Sequence, residues 1–416
     1  MTETSAGREL DIIVYGATGF VGALLAKYLV EHAPTDTKIA LAGRSLEKLA
    51  TARASLGSAA AGYPLIVADA DDGPALKALA ERTRVVATTV GPYAKYGHAI
   101  TRACATAGTH YVDLTGEVLF HRESIDANHD VAVSTGARIV HSCGFDSVPS
   151  DLGVHVLHEL VQADGAGELT DTTLVVTALS GGVSGGTIDS LRNQIDVSKD
   201  DARLRKLAAS PYSLSPDRER EPDLGRQSDV SIVDGRKIDR TLGGWKAPFV
   251  MASYNTRVVR RSNALRQWAY GTNFRYSEVM SVGSSVLSPV IAGGVAVGLG
   301  ALLGGLALPP TRFVLDRILP SPGQGPSEKT QRNGHFTMDL FTVTTTGARY
   351  TSRVKAKGDP GYRATAVMLG ESALGLVADE KELPQTAGVL TPATALGDVL
   401  VRRLRAAGFE IAARKL

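Results

Sequence analysis

The chain has 416 residues, 44% of them hydrophobic, with 45 Lys and Arg against 43 Asp and Glu and a formal charge of +2. That length is more than one compact core needs and predicts two or three domains, while the balanced charge excludes a global field that recruits nucleic acid. Two cysteines, Cys104 and Cys143, exclude a disulfide framework or a cysteine-rich zinc site and suit a reducing compartment.

In chain order, an apolar strand over Leu10–Tyr15 runs into YGATGFVG, where Gly16, Gly19 and Gly22 recur at every third position, and a helix follows over Val21–Glu31. A strand feeding a glycine turn that opens a helix gathers main-chain N–H groups at the positive helix end, which suits a pyrophosphate. The same glycines also suit a close-packed corner, so the motif needs its context. On the first reading Gly16, Thr18, Gly19, Phe20 and Gly22 hold the pyrophosphate. No basic, apolar leader precedes this strand, and the expected placement is cytoplasmic.

Strand and helix periods then alternate: strand Lys38–Ala42, helix Leu46–Leu56, strand Pro64–Ala68, helix Pro74–Arg82, strand Val85–Val90. A helix over Gly97–Ala107 and short strands at His110–Asp113 and Arg138–His141 continue the rhythm. Such βαβ repetition predicts an α/β fold with an N-terminal, doubly wound parallel sheet of Rossmann type.

The second strand ends in LAGRS, placing Arg44 and Ser45 where an NAD-specific fold carries an acid for the ribose 2′-hydroxyl. A cation and a hydroxyl there suit a 2′-phosphate, so the expected cofactor is NADP(H). Asp69, after the third strand, belongs near the adenine or in a helix cap. The fourth strand ends in TTVGPY, which turns Thr88, Val90, Gly91, Pro92 and Tyr93 toward the ribose and nicotinamide. Two later strand ends, YVDLTGE and SCGFDSVPSDLG, mix acids, hydroxyls and glycine as a crevice wall does, although Asp146 and Asp151 equally suit helix caps. SGGVSGGT, Ser180–Thr187, is a further glycine-rich loop before a helix. His155 and His158 stand three residues apart on a predicted helix, but no third ligand lies nearby and no metal is expected.

Past Ser150 the rhythm gives way to longer polar connections, such as 208–239, and to a two-residue alternation over Gly334–Thr345 and Ala348–Lys357 that predicts an antiparallel hairpin. The expected division is a Rossmann domain over 1–148, a second α+β domain for substrate and oligomerisation over 149–384, and a C-terminal helix within 385–416 that packs back on the first.

Residues 279–311 carry no charge and no histidine, and Val290–Leu308 contains only Ala, Val, Ile, Leu and Gly. As a helix it would be about 28 Å long, close to the hydrocarbon thickness of a bilayer. Arg257, Arg260, Arg261, Arg266 and Arg275 precede it, and Arg312 and Arg317 follow. Cations at both ends favour a hairpin or surface-lying element on anionic lipid over a single span; a buried glycine-rich helix or an oligomer interface are the alternatives. Gly294/Gly298 and Gly300/Gly304 repeat the spacing of close helix pairs, and with the sheet edges they offer surfaces for a homodimer.

The stretches YGATGFVG, LAGRS, TTVGPY, ACATAGTHYVDLTGE, CGFDSVPSDLG, SGGT, GDPGYRATA and AGVLTPATALG, in order over nearly the whole chain, resemble the saccharopine dehydrogenase-like oxidoreductases. SPYSLSP and YNTRVVRRSNALRQWAYG are similar to the subgroup of mycobacterial trans-acting enoyl reductases. That resemblance implies a Rossmann domain, a C-terminal α+β domain, and NADPH-dependent reduction of a carbon–carbon double bond. It further implies an acyl chain held on an acyl carrier or polyketide synthase, in lipid synthesis of the cell envelope. Such a reaction needs a donor at the thioester oxygen and an acid for the α-carbon. Tyr93 is the first candidate donor, with Glu117, Asp146 and Ser147 as the other candidate catalytic residues. Another NADP-dependent dehydrogenase acting on a small substrate, or a non-catalytic lipid-associated protein that binds the nucleotide, remain open.

Overall fold

The computed structural model describes residues 7–181, 185–318 and 326–416. Its first half alternates β1 (Leu10–Tyr15), α1 (Phe20–His32), β2 (Ile39–Gly43), α2 (Leu46–Ser55), β3 (Leu65–Val67), α3 (Gly73–Glu81), β4 (Thr83–Thr88) and α4 (Tyr93–Ala107). There follow β5 (His110–Val112), α5 (Val118–Thr135), β6 (Arg138–Val140) and α6 (Val148–Ala163).

The second half begins with β7 (Leu169–Ser180), α7 (Gly185–Ser198), α8 (Ala202–Ala209), β8 (Val233–Asp234), α9 (Gly235–Ile238), β9 (Trp245–Pro248), α10 (Ala252–Leu265) and β10 (Arg275–Ser281). It continues with α11 (Ser288–Ala307), α12 (Pro309–Ile318), α13 (Glu328–Asn333), β11 (His335–Thr344), β12 (Arg349–Lys357) and α14 (Thr365–Ala378). The chain closes with β13 (Gly388–Leu390), α15 (Pro392–Ala395), α16 (Gly397–Ala406) and β14 (Glu410–Lys415).

Two seven-stranded sheets result. The first has the order β13-β6-β5-β4-β1-β2-β3 and is parallel at every pairing, so its strand order reverses between β1 and β4 and opens a crevice at the carboxyl ends of the strands. The second has the order β14-β12-β11-β7-β10-β9-β8 and is antiparallel except where β7 meets β10. The hairpin expected around Gly347 is β11 and β12, paired from His335 with Lys357 to Val343 with Arg349. One apolar core continues from Val14 and Val140 under the first sheet, through Leu152 and Leu157 of α6, to Leu340 and Val354 of the second.

The C-terminal part divides differently from the expected boundary at 385. The chain is already back on the first sheet at α14, which packs on α1 and β4: Tyr28 donates its hydroxyl to Glu371 at 2.5 Å, and Arg403 holds the other oxygen of that carboxyl at 2.8 Å. β13 then pairs with β6, and β14 leaves again for the edge of the second sheet beside β12. Three-residue strands such as Gly388–Leu390 are too short to show a period, which is why the sequence shows only the helix.

Two further helices differ from expectation. α5 is absent from the sequence reading because its inward face carries His121, Arg122, Ser124 and Asn128, which break the apolar period. α4 starts at Tyr93 rather than Gly97, because a residue far along the chain satisfies its first N–H groups.

Candidate functional site

The crevice is built from the strand ends. β1 closes in Gly16, whose φ of +92° is open to glycine, and a Cβ there would stand 2.8 Å from the Val90 side chain. A Cβ on Gly22 would stand 2.1 Å from the Gly16 carbonyl oxygen, so the absence of one lets α1 sit against the turn. Ahead of the first bond of α1, from Ala23 N–H to Gly19 O at 2.8 Å, the N–H groups of Phe20 and Val21 lie where an anion would be held, and the first turn carries no acid.

A trough runs from this turn over Thr18 to Arg44 and Asp69, floored by Thr89, Val90 and Gly91. Arg44 is exposed and forms no ion pair among the described residues. Ser45 is the N-cap of α2, accepting from Lys48 N–H at 3.4 Å, and Asp69 accepts from Asp71 N–H at 3.2 Å while Asp72 caps α3. Thr88 is buried; its hydroxyl oxygen accepts from Val90 N–H at 3.2 Å, so it shapes the turn instead of facing the trough. Thr89, absent from the sequence reading, takes that place on the wall.

At Gly19, Thr89 and Gly91 the trough meets a second cavity of about 270 Å³. Phe20, Leu114, Leu191, Val250 and Met251 supply apolar walls. Among the described lining residues Asp146 and Asp189 are the only carboxylates, and there is no Lys, Arg or His.

The four residues proposed for chemistry fall into two kinds. Tyr93 borders the cavity, but its phenol donates to Thr88 O at 3.2 Å and accepts from Leu114 N–H at 3.1 Å, and burial pushes its ionisation well above the ordinary range. Glu117 caps α4, accepting from Tyr93 N–H at 2.8 Å, Ala94 N–H at 3.0 Å and Ser190 Oγ at 2.8 Å. Ser147 is fully buried and donates to Asn255 Oδ1 at 3.1 Å. These three therefore hold the framework. Asp146 is the different one: its carboxyl has no hydrogen-bond or ion-pair partner among the described residues, borders the cavity, and is raised by burial to about 6.

Of the glycine-rich stretch Ser180–Thr187, residues 182–184 lie outside the described residues; Gly186 borders the cavity. Sequence reasoning quoted Tyr254 only as the first residue of YNTRVVRRSNALRQWAYG; α10 brings it to the cavity wall from more than two hundred residues past the glycine turn.

Of the seven arginines expected at a lipid surface, three are buried and two more are held in ion pairs. On α10, Arg257, Arg260 and Arg261 are buried. Arg257 pairs with Asp229 at 2.6 Å, Arg260 donates to Tyr276 O at 2.9 Å, and Arg261 donates to Leu214 O and Val389 O at 2.6 Å each. Arg266 pairs with Glu159 and Arg312 with Asp196, both at 2.7 Å, leaving Arg275 and Arg317 exposed. α10 thus carries three buried arginines, with Arg257 held by the Asp229 carboxylate and Arg260 and Arg261 held by main-chain carbonyls.

A parallel sheet with a glycine turn, unclaimed helix N–H groups and an exposed cation after β2 is the receptor of an NADP-dependent oxidoreductase. The sequence profile of the saccharopine dehydrogenase NADP binding domain matches residues 12–140. The chain is 47% identical to the trans-acting enoyl reductase of Mycobacterium bovis over 99% of both chains, and 46% identical to that of Mycobacterium ulcerans over 99% of this chain and 100% of the other. It is 51% identical, over 99% of both, to Rv2449c of Mycobacterium tuberculosis, whose name proposes the same activity. Yeast saccharopine dehydrogenase (L-Glu forming) shares the fold, with a TM-score of 0.53 at 12% identity over 98% of this chain and 100% of that one. The chain belongs to the trans-acting enoyl reductase family, on the saccharopine dehydrogenase fold.

Proposed function

We propose that the protein reduces the carbon–carbon double bond of an α,β-unsaturated acyl thioester with NADPH. The observation that carries this reading is the cavity at the nicotinamide end of the trough, to which Phe20, Leu114, Leu191, Val250 and Met251 present apolar surface and which has no cation among its described lining residues. A dicarboxylate amino acid would leave its carboxylates unpaired there at high cost, whereas an acyl chain suits the apolar walls. The same observation speaks against the small polar substrate of the alternative dehydrogenase reading.

Within that crevice Gly16, Gly19 and the α1 N–H groups would hold the pyrophosphate, Arg44 the 2′-phosphate, and Thr89, Gly91 and Pro92 the ribose and nicotinamide. When bound, NADPH supplies a hydride for the carbon β to the thioester carbonyl. Asp146 acts as the acid: in its neutral form it gives a proton to the α-carbon, is left as a carboxylate, and regains its proton from solvent entering the cavity. The bond order falls by one, with one hydride and one proton added. The acyl group would arrive on a carrier.

The exposed apolar helix supports a peripheral place at a membrane of the cytoplasmic side. α11 is long and apolar enough to cross a bilayer, yet only 11% of its apolar window is buried. Val286, Leu287, Val290 and Val297 stand exposed, as do Phe313 and Val314 of α12, whose Arg317 lies over the Phe313 ring. A surface-lying element with a cation at its edge suits anionic lipid. α11 also packs on α7, whose Ser190, Leu191 and Gln194 line the cavity, which puts the apolar surface beside the proposed acyl site.

Stopped-flow absorbance of NADPH with decenoyl-coenzyme A tests the reading. Enoyl-dependent oxidation yielding the saturated thioester is expected; tight NADPH binding with no oxidation by any enoyl thioester would overturn it.

A further inference from the structure

Behind the cavity wall lies a buried polar assembly that the hydride and proton steps above leave unused. Asp113, with no exposed surface, accepts Ser142 N–H at 2.9 Å and Thr115 N–H at 3.1 Å on one oxygen. Its other oxygen receives Tyr111 OH at 3.0 Å and faces His141 Nδ1 at 2.7 Å, while His141 Nε2 meets Ser124 Oγ at 2.8 Å. This anchor fixes Ser142 at a φ of +64°, a backbone state that non-glycine residues rarely adopt and that marks sites under functional constraint. Ser142 donates its hydroxyl to Thr115 O at 2.9 Å and touches the Tyr254 hydroxyl, which on its other side faces His121 Nδ1 at 3.0 Å. Ser142, Thr115 and Tyr254 all border the cavity.

The direction of the protons follows from what is left unpaired. His121 Nε2 is buried and has no partner among the described residues. Burial, with His141, Arg261 and Arg122 nearby, holds the imidazole neutral, well below its ordinary range. An orphaned buried N–H is rarer than an orphaned acceptor, so the ring proton belongs on Nδ1, where it donates to the Tyr254 oxygen. That leaves Tyr254 its own O–H to direct elsewhere. Burial keeps the phenol protonated at any physiological pH.

Three other hydroxyls on the wall are engaged as donors: Tyr93 donates to Thr88 O, Ser190 to Glu117, and Thr365 to Pro360 O. Tyr254 differs from these three in being backed by a donor that pushes its proton outward, with a rotatable hydroxyl as its resting acceptor.

We infer that Tyr254 is a catalytic residue whose hydroxyl, turned from Ser142 to the ligand, donates to the thioester carbonyl oxygen as negative charge develops there. His121 is its positioning residue. The inference rests on the acyl thioester reading and adds to it the group that stabilises the enolate, the part for which Tyr93 is not free. Donors aimed at the developing oxyanion contribute more to the transition state than to the ground state.

The test uses the whole protein with Tyr254→Phe, which keeps the ring. NADPH affinity is expected to be unchanged, while kcat with decenoyl-coenzyme A falls roughly 100-fold or more, as on loss of one oxyanion donor. His121→Ala is expected to lower kcat less, and added imidazole to restore part of it, which a merely structural defect would not allow. A second measurement needs no turnover: wild type should bind decanoyl-coenzyme A roughly 3- to 10-fold tighter than S-decyl-coenzyme A, a thioether without the carbonyl, and Tyr254→Phe should bind both alike. A variant that retains both kcat and that discrimination overturns the inference. Wild type that discriminates, loses the discrimination in Tyr254→Phe, and yet never oxidises NADPH overturns the reductase reading and leaves the Tyr254 contact standing.

Discussion

The carboxyl of Glu117 accepts the main-chain N–H of Tyr93 at 2.8 Å, so two residues whose sequence positions suggested chemistry instead hold each other at the start of α4. Glu117 also takes Ala94 N–H and the Ser190 hydroxyl, tying α4 to α7 across the cavity mouth. Glu117→Ala would orphan buried donors, and a loss of about 1–3 kcal/mol is expected. Chemical denaturation should show a lower midpoint with an unchanged slope. Tyr93→Phe should lower stability in the same assay and leave kcat within about threefold, since its hydroxyl serves Thr88 and Leu114 rather than a ligand.

Arg44 is an exposed cation that no carboxylate engages among the described residues, at the end of the trough where a 2′-phosphate belongs. Arg44→Ala is expected to weaken NADPH about 10- to 100-fold, the size of a charge-assisted contact, and to leave NADH binding unchanged. Fluorescence titration with both nucleotides checks it. Equal losses for the two would show that Arg44 supports the turn rather than the phosphate.

The glycine turn, LAGRS and TTVGPY were legible because each is local: a strand end, a turn and a helix start lie within about ten residues, so spacing alone places them on the crevice. The role of Gly22 was not, because packing and phosphate binding demand the same residue type. The framework bonds of Tyr93 and Glu117 were hidden for a related reason, since a helix cap supplied from 24 residues away looks like an acid beside a tyrosine. Tyr254 reaches the site through tertiary packing of α10, and the arginines around it read as a lipid-facing cluster because burial of a guanidinium among main-chain carbonyls leaves no mark in local sequence. Where polar residues face inward within an apolar period, as in α5, the period is lost while the helix persists.

Asp146 supplies the pH dependence. Burial raises its carboxyl to about 6 from an ordinary value of 3.8, so the neutral acid is the major form below pH 6 and is lost above it. If the proton transfer limits the rate, kcat falls as pH rises through that value, and Asp146→Asn removes the limb together with most of the activity. Stability has the same sign: the folded state binds its proton more tightly than the unfolded chain, so the stabilising protonation is present at low pH and is lost as pH rises through about 6. Asp146→Asn is therefore expected to be more stable than wild type at pH 7.5, by about 1 kcal/mol because the carboxyl opens to the cavity, and equal to it near pH 4. Thermal unfolding at the two pH values decides this.

The apolar surface and the buried arginines separate in one further experiment. Arg261 is fully enclosed, and burial lowers its guanidinium to about 9 while it joins Leu214 O in the second half to Val389 O on the first sheet. Arg261→Met removes both bonds and strands two carbonyls, so a loss of roughly 2–4 kcal/mol is expected, with vesicle binding unaffected in the protein that remains folded. Val290 and Val297 are 72% and 73% exposed on α11, one pair of helical turns apart. Val290→Glu with Val297→Glu should leave unfolding within about 0.5 kcal/mol of wild type and abolish sedimentation with phosphatidylglycerol vesicles, because exposed positions cost the fold little while charges on an inserting face oppose burial in lipid. Unchanged sedimentation of the double variant would assign the patch to a protein partner, and a second copy packed through Gly294 and Gly298 would then appear as a dimer that the same substitutions dissociate.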